Sequence, residues 1–251
     1  MSMIPRVATG IRGFDELVEN GFPSESVILL AGNPGAGKTT FAAQFVYEGA
    51  TKLGDRGIYV CFAETKRAFL RSMMNIGWDF ERLEMEGRVA VLDLSTTKEP
   101  GIQSNLDIVL EKITTMRARR LVIDSFTAMS MAMKEPIDIR YLLHLLYKFL
   151  QRIGCTTIMI SDTPWGSLKI GSGVEEFIAD GIILMQTHFD EEGNLRRRLR
   201  ILKLRSTNHS KRTHDYNITN EGVIIFPEYG EGGPRLPAEQ RILMPDLEPK
   251  P

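Results

Sequence analysis

The residues Gly32-Asn33-Pro34-Gly35-Ala36-Gly37-Lys38-Thr39 have the types and spacing to hold a polyphosphate. They fit a glycine, four free positions, then Gly-Lys-Thr. Glycines let the chain double back so that successive backbone N–H groups converge on phosphate oxygens. Lys38 would reach the β- and γ-phosphates as a point charge, and the Thr39 hydroxyl would take a Mg²⁺ coordination position. Asn33, Pro34, Gly35, Ala36, Gly37 and Thr40 complete the candidate phosphate-binding set.

Two acids are placed to act on such a group. Arg120 to Ser125 (RLVIDS) is an apolar run ended by an acid, and Asp124 there would hold Mg²⁺ or its water shell. Gly57 to Ala63 (GIYVCFA) is a second β-rich run, ending at Glu64-Thr65. Ligand-handling residues gather at the carboxyl ends of strands in open α/β sheets. Glu64 would there orient or deprotonate an attacking water. Alternatively it caps the next helix, with Thr65 or Lys66 near the first helical position. Local sequence leaves both readings open.

The positioning elements follow from periodicity. Val27 to Ala31 is a short apolar run suited to a buried parallel strand, and Phe41, Phe45 and Val46 then fall at helical spacing. The loop therefore opens a helix whose N-terminus faces the phosphates. Ahead of it, Thr9 to Pro23 places Ile11, Phe14, Leu17 and Val18 at helical intervals, which predicts a short amphipathic helix on a sheet edge. Helices are expected over Arg67–Gly77, Asn105–Met116 and Ile137–Gln151, strands over Val89–Leu94 and Thr156–Ser161, and a loop over Thr96–Gly101. Met129, Met131 and Met133 read as packing residues. Asp162 to Gly173 (DTPWGSLKIGSG) reads as a mobile loop near the site, with Trp165 exposed.

From Gly181 the period changes to that of antiparallel strands, with turns at Asp190–Asn194 and Asn220–Gly222. Lys203 and Arg205 are two apart and share a face. Arg196, Arg197, Arg198 and Arg200 read as a solvated edge strand that discourages aggregation.

Bulk composition limits the rest. The 251 residues are 43% hydrophobic and 25% charged, with 31 basic against 32 acidic side chains and net charge −1. That is an ordinary globular composition with no whole-chain signal for nucleic acid. No apolar stretch approaches the ~20 residues of a membrane span, and no signal-peptide core is seen, so a cytoplasmic protein without a membrane partner is expected. Cys61 and Cys155 read as buried free thiols, and the four histidines show no ligand spacing.

With these residues laid out, the chain resembles the KaiC-type branch of the RecA-like ATPases along nearly its whole length. The resemblance is carried by TGIRGFDELVENGFP, GNPGAGKTTFAAQFVYEGA, RLVIDSFTA and, most specifically, GVEEFIADGIILM followed by RRLRILKLRSTNH. It implies a RecA-like P-loop fold: a twisted, mostly parallel sheet flanked by helices, with a C-terminal antiparallel extension. It also implies a ring of six subunits with ATP between neighbours. Residues 1–230 are then expected to form one ATPase domain; from Pro227 the Pro, Gly and Glu content reads as an extended arm or disordered tail, taken as residues 231–251, with Ile242, Leu243 and Met244 as a candidate docking segment.

By motif position the resemblance implies that Lys38 and Thr39 bind phosphate and Mg²⁺ and that Asp124 is the Walker-B acid. It implies that Lys203 and Arg205 reach the neighbouring subunit's γ-phosphate, and that Ser206 and His209 help hold ribose or base. Two departures matter. Where the family often has two adjacent acids, Ala63 precedes Glu64, so slow hydrolysis is expected. Glu176-Phe177 replaces the Ser-Thr pair that the clock protein phosphorylates in its other half.

The expected function is an ATPase that self-assembles and hydrolyses ATP at subunit interfaces, as a regulatory or assembly switch. Two rivals remain at this level. A DNA-handling relative would use the Asp162 to Gly173 loop and the arginine-rich strand on single-stranded DNA. An ATP-gated oligomerisation scaffold would turn over little and hand its state to a regulatory protein.

Overall fold

The computed structural model describes residues 4–95, 102–130, 136–167, 170 and 178–226, and for 102–103 and 136–142 the backbone alone. Strands β1 (Arg6–Val7) and β2 (Phe22–Pro23) pair as a small ribbon. The main sheet begins with β3 (Val27–Gly32), which runs through the phosphate loop into helix α1 (Lys38–Lys52). Then come β4 (Gly57–Cys61), α2 (Lys66–Met74), α3 (Phe80–Met85), β5 (Val89–Asp93), α4 (Ile102–Met116) and β6 (Arg120–Asp124). Helices α5 (Phe126–Ser130) and α6 (Pro136–Ile153) lead to β7 (Thr156–Asp162). Four strands close the described chain: β8 (Gly181–Phe189), β9 (Leu195–Leu204), β10 (Thr213–Thr219) and β11 (Gly222–Ile225).

The nine strands order as β5-β4-β6-β7-β3-β8-β9-β10-β11. From β5 to β8 neighbours are parallel, and from β8 to β11 they are antiparallel. The parallel strands are buried on both faces, which is why they read as unbroken apolar runs. On one side Phe41 and Phe45 of α1, Phe69 of α2 and Phe80 of α3 build a core with Tyr59 and Val91. On the other, Leu106 and Val109 of α4, Phe126 of α5 and Leu146 of α6 pack on Leu29, Ile58 and Leu121. This is the expected RecA-like layering.

Some expectations fail for physical reasons. Thr9 to Pro23 is not an α-helix. Only Asp15–Val18 forms a 3₁₀ turn, because Gly10, Gly13 and Gly21 all take positive φ and the end joins β2. Gly13 sits so close to the Ile225 carbonyl that a Cβ there would lie 2.0 Å from its oxygen. The apolar residues still serve as foreseen: Ile11, Phe14, Leu17 and Val18 are all buried. The arginine run does not lie on an edge strand either. It is on β9, hydrogen-bonded on both sides, and β11 holds that edge of the sheet. Helices α3 and α5 are too short to show a period in the sequence.

Cys61 and Cys155 are buried free thiols. Met129 is buried against α5's neighbours, whereas Met131, Met133, the Thr96–Gly101 loop and the tail lie outside the described residues. No helix among the described residues is long and apolar enough to cross a membrane.

Candidate active site

Carboxyl ends of adjacent strands meet at one cleft of about 260 Å³, lined by Gly35, Gly37, Lys38, Thr39, Ala63, Glu64, Asp124, Ile160 and Asp162. Gly35 and Gly37 take positive φ, which side chains rarely tolerate, and open space surrounds the position of a Cβ at Gly35. The loop thus presents bare backbone to a ligand. At its base Lys38 Nζ donates to the carbonyls of Gly32 (2.8 Å) and Asn33 (3.1 Å) and pairs with Asp162 Oδ1 at 3.1 Å.

Opposite the lysine, Thr39 Oγ1 donates to Asp124 Oδ2 at 2.8 Å, and Tyr59 OH donates to the same oxygen at 2.6 Å. Burial pushes the Asp124 carboxyl up from its ordinary pKa, and these two hydrogen bonds oppose the shift. Beyond Cys61 the backbone clings to β6, with Phe62 N–H and Ala63 N–H both donating to the Asp124 carbonyl at 2.6 and 3.3 Å. That contact brings Glu64 beside Asp124. Thr65, not Glu64, caps α2, its Oγ1 accepting from Ala68 N–H at 3.3 Å. The glutamate is left to face the cleft, and burial followed by the charge of Asp124 raises its pKa.

Does this donor set fit a nucleotide and Mg²⁺? The Thr39 hydroxyl and Asp124 carboxylate are hard oxygens held together, and no cluster of three His, Cys, Asp or Glu among the described residues could hold a metal alone. Mg²⁺ prefers such a setting, taking one or two protein oxygens and completing its shell with water and phosphate. The residues fit.

The remaining sequence-based candidates divide. Asn33 belongs to the loop, but its side chain is spent on Thr187 of β8: Nδ2 donates to the Thr187 hydroxyl (2.9 Å) and Oδ1 accepts from Thr187 N–H (2.9 Å). Pro34 is exposed at the lip, Ala36 is buried, and Thr40 is half-buried in the first turn of α1. Lys203, Arg205, Ser206 and His209 are not at this cleft. Ile182 pairs with Lys203, and Gly181 pairs with both Leu204 and Ile28, whereas the loop starts from Gly32 opposite Met185. Four residues of strand, roughly 13 Å, separate the two levels. Lys203 Nζ donates to the Ala179 carbonyl (2.7 Å), and Arg205 pairs with Asp180 Oδ1 (3.2 Å). Ser206 offers its carbonyl to Arg6 (3.1 Å), and His209 is buried beside Ser210 and Lys211.

Sequence reasoning missed several residues. Asp162 could have been found, since it ends a buried strand in the way Asp124 does. Tyr59, in mid-strand, carried no such sign. Nor did the strands beyond the site that buttress the loop: Tyr216 OH donates to Ala36 O (2.5 Å), Ile218 packs on Gly37, and Arg197 Nε donates to Gly35 O (3.4 Å).

Fold and site together define a RecA-like P-loop ATPase. A family model described as "ATPase: KaiC" matches residues 7–230, and the chain belongs to that family. It is 35% identical over 246 residues to the UPF0273 protein of Thermotoga maritima, covering 92% of this chain and all of that one. It is 34% identical over 238 residues to UPF0273 protein MJ1359 of Methanocaldococcus jannaschii, covering 89% and 97%. The circadian clock oscillator protein KaiC of Synechococcus elongatus is 34% identical over 89% of this chain, which spans 44% of that longer protein. Among solved structures, the KaiC-like protein PH0186 from Pyrococcus horikoshii is 38% identical, with a TM-score of 0.82 over 90% of this chain and all of that one.

Proposed function

We propose that this chain hydrolyses ATP at the interface between copies of itself in a ring, most simply of six, and serves as a regulatory or assembly switch in the cytoplasm. One observation carries the reading. The cleft holds everything needed to bind phosphate and Mg²⁺, yet Lys203 and Arg205 sit on the same sheet at its far end. Too distant to reach this chain's own cleft, they suit the cleft of another copy. The cleft's size agrees, since about 260 Å³ falls below the ~300–1,000 Å³ of complete small-molecule sites. A second surface would have to cover the nucleoside; Ser206, exposed next to Arg205, would contribute directly, and His209 would do so on leaving its contacts with Ser210 and Lys211.

Backbone amides of Gly35 to Lys38 cradle the phosphates, and Lys38 exchanges Asp162 for the β/γ-phosphate oxygens. Thr39 and Asp124 would hold Mg²⁺, which would neutralise phosphate charge. Glu64 orients the attacking water and draws its proton. Lys203 and Arg205 from the neighbour bring positive charge to the phosphoryl oxygens, the arginine-finger logic that is worth orders of magnitude in turnover.

Steady-state ATP turnover over a range of protein concentration tests this, with and without single-stranded DNA. A specific rate that rises with concentration and ignores DNA is expected. A Lys203→Ala chain should lose turnover while still binding ATP, and loss of ATP binding instead would contradict a trans role. Negligible turnover with intact nucleotide-dependent assembly would leave the scaffold reading, for which Ala63 beside Glu64 is the structural argument. Strong stimulation by DNA would favour the DNA-handling reading.

A further inference from the structure

The largest hollow among the described residues is not the nucleotide cleft. A groove of about 630 Å³ lies between α2 and α3, beside the sheet-edge strand β5. One end of it is clamped. Lys66 Nζ pairs with Glu84 Oε2 (2.7 Å), Glu84 Oε1 accepts from Val91 N–H of β5 (2.8 Å), and Lys66 N–H donates to Asp93 Oδ2 (2.8 Å). Glu84 thereby occupies an edge amide that a docking strand would need, so the groove has to recognise side chains.

Those it offers form two rows along α2. Leu70 and Met74 stand one turn apart over Phe80 of α3 and make an apolar row. Arg67 and Arg71, also one turn apart, make a basic row beside it. Both arginines are exposed, and neither side chain has an ion pair or hydrogen bond among the described residues. Acids flank the pair: Asp93 at the first turn of α2 and Glu81 on α3.

The chain contains a segment of matching pattern. Residues 227–251 lie outside the described residues. Within them Ile242-Leu243-Met244 is followed by Asp246, Leu247 and Glu248, with Arg241 before and Lys250 after. Pro245 and Pro249 favour extended backbone over helix. Extended, Asp246 and Glu248 would stand roughly 6.6 Å apart, and Arg67 to Arg71 is a rise of roughly 6 Å along α2. Two acids between two cations would meet two cations between two acids.

The segment can reach the groove of its own chain. The described chain ends at Phe226, directly after β11. At the start of β11, Gly222 lies so close to Trp78 that a Cβ there would come within 2.6 Å of its ring. Trp78 stacks on Tyr47 of α1 and sits in the turn between α2 and α3, near the groove-lining Asn75. The way back along β11 is roughly 10 Å, whereas Pro227 to Arg241, fifteen residues, extends to about 50 Å.

We propose that residues 242–248 dock in the α2–α3 groove of their own chain, with Asp246 and Glu248 on Arg67 and Arg71 and the apolar side chains on Leu70, Met74 and Phe80. The contact needs no nucleotide and stands apart from the ATPase reading. It braces α2, whose cap Thr65 directly follows Glu64. Glu81 and Asp93 favour this occupant over a nucleic acid, whose unbroken negative charge would meet both.

Competition on the full-length protein tests the docking. A fluorescent peptide of residues 241–250 should bind the unaltered chain at least about tenfold more weakly than the Leu243→Ser/Met244→Ser chain, because a tethered segment competes at roughly millimolar effective concentration. Adding Arg67→Glu/Arg71→Glu to the serine chain should abolish peptide binding, and a peptide carrying Asp246→Arg/Glu248→Arg should restore it. Arg67→Gln/Arg71→Gln serves if the reversal lowers the melting temperature, with a smaller loss expected. Equal binding to the unaltered and serine chains overturns docking within the chain, as does binding to neither. A difference that fades on dilution means that the segment comes from another copy, which overturns it too. Peptide binding that ignores the arginine changes, with labelled oligothymidylate binding lost, would assign the groove to nucleic acid.

Discussion

The two ends of the parallel sheet each bury a cation, and they treat it in opposite ways. At the amino end Arg120 is 1% exposed and fully engaged. Its Nε and NH2 donate to Asp55 Oδ2 (2.9 and 2.8 Å), NH1 to Phe45 O (2.8 Å) and NH2 also to Ala8 O (2.9 Å). The guanidinium lies 4.5 Å over the Phe45 ring, and Gly49 is glycine because a Cβ there would come within 2.3 Å of Nε. At the carboxyl end Lys38 is 8% exposed, but its acid partner Asp162 is exposed and replaceable. Two more carboxylates, Asp124 and Glu64, stand beside it with raised pKa. One end spends its charges on the fold. The other keeps them available for a ligand, and the difference marks which end works.

The largest effect should come from breaking the closed end. Arg120→Met leaves Asp55 without its buried partner, and such losses cost ~3–5 kcal/mol of stability. Chemical denaturation should show that loss, while turnover per folded molecule changes little. The reverse pattern is expected at the open end. Glu64→Gln should lower turnover by ~10²–10⁴-fold with unchanged melting temperature and nucleotide affinity. Unchanged turnover would remove Glu64 from the mechanism.

The pH profile sharpens the same contrast. Glu64 must be ionised to accept a proton, and its raised pKa means it protonates earlier as pH falls. The acid limb of turnover should therefore lie above the ordinary glutamate value of about 4.3. Tyr59→Phe acts between fold and site. It removes a buried donor to Asp124 but keeps the ring stacked on Phe69 at 4.1 Å. A stability loss of ~1–3 kcal/mol is expected, with more Mg²⁺ needed for half-maximal turnover.

How much of this was legible in the sequence follows from range. The loop, Asp124, Glu64 and the parallel strands were legible because each is a local pattern: a motif, or an apolar run that ends in an acid. Whether Glu64 faces water or caps α2 was not, since that depends on Thr65 taking the cap and on Phe62 and Ala63 bonding to β6. The Thr9–Pro23 segment misled because its apolar spacing is genuine but its glycines take positive φ in tight turns, Gly13 against β11, Gly10 against α1 and Gly21 against β1. The arginine run misled because strand order is not written in local periodicity.

Arg197 offers the finest cut between the two ends. Like Arg120 it is an arginine reaching across strands to a backbone carbonyl, but it is half-buried and, among the described residues, makes one hydrogen bond, 3.4 Å from Nε to Gly35 O. That distance is beyond the usual hydrogen-bond range, so little stability depends on it. Its terminal nitrogens lie beside the loop that cradles phosphate, where a cation gains only when a phosphate arrives. Arg197→Gln should leave the melting temperature of the free chain unchanged and raise the nucleotide dissociation constant by roughly 2–10-fold, the worth of one partly exposed hydrogen bond. A drop in melting temperature with unaltered affinity would place Arg197 with Arg120, as part of the scaffold.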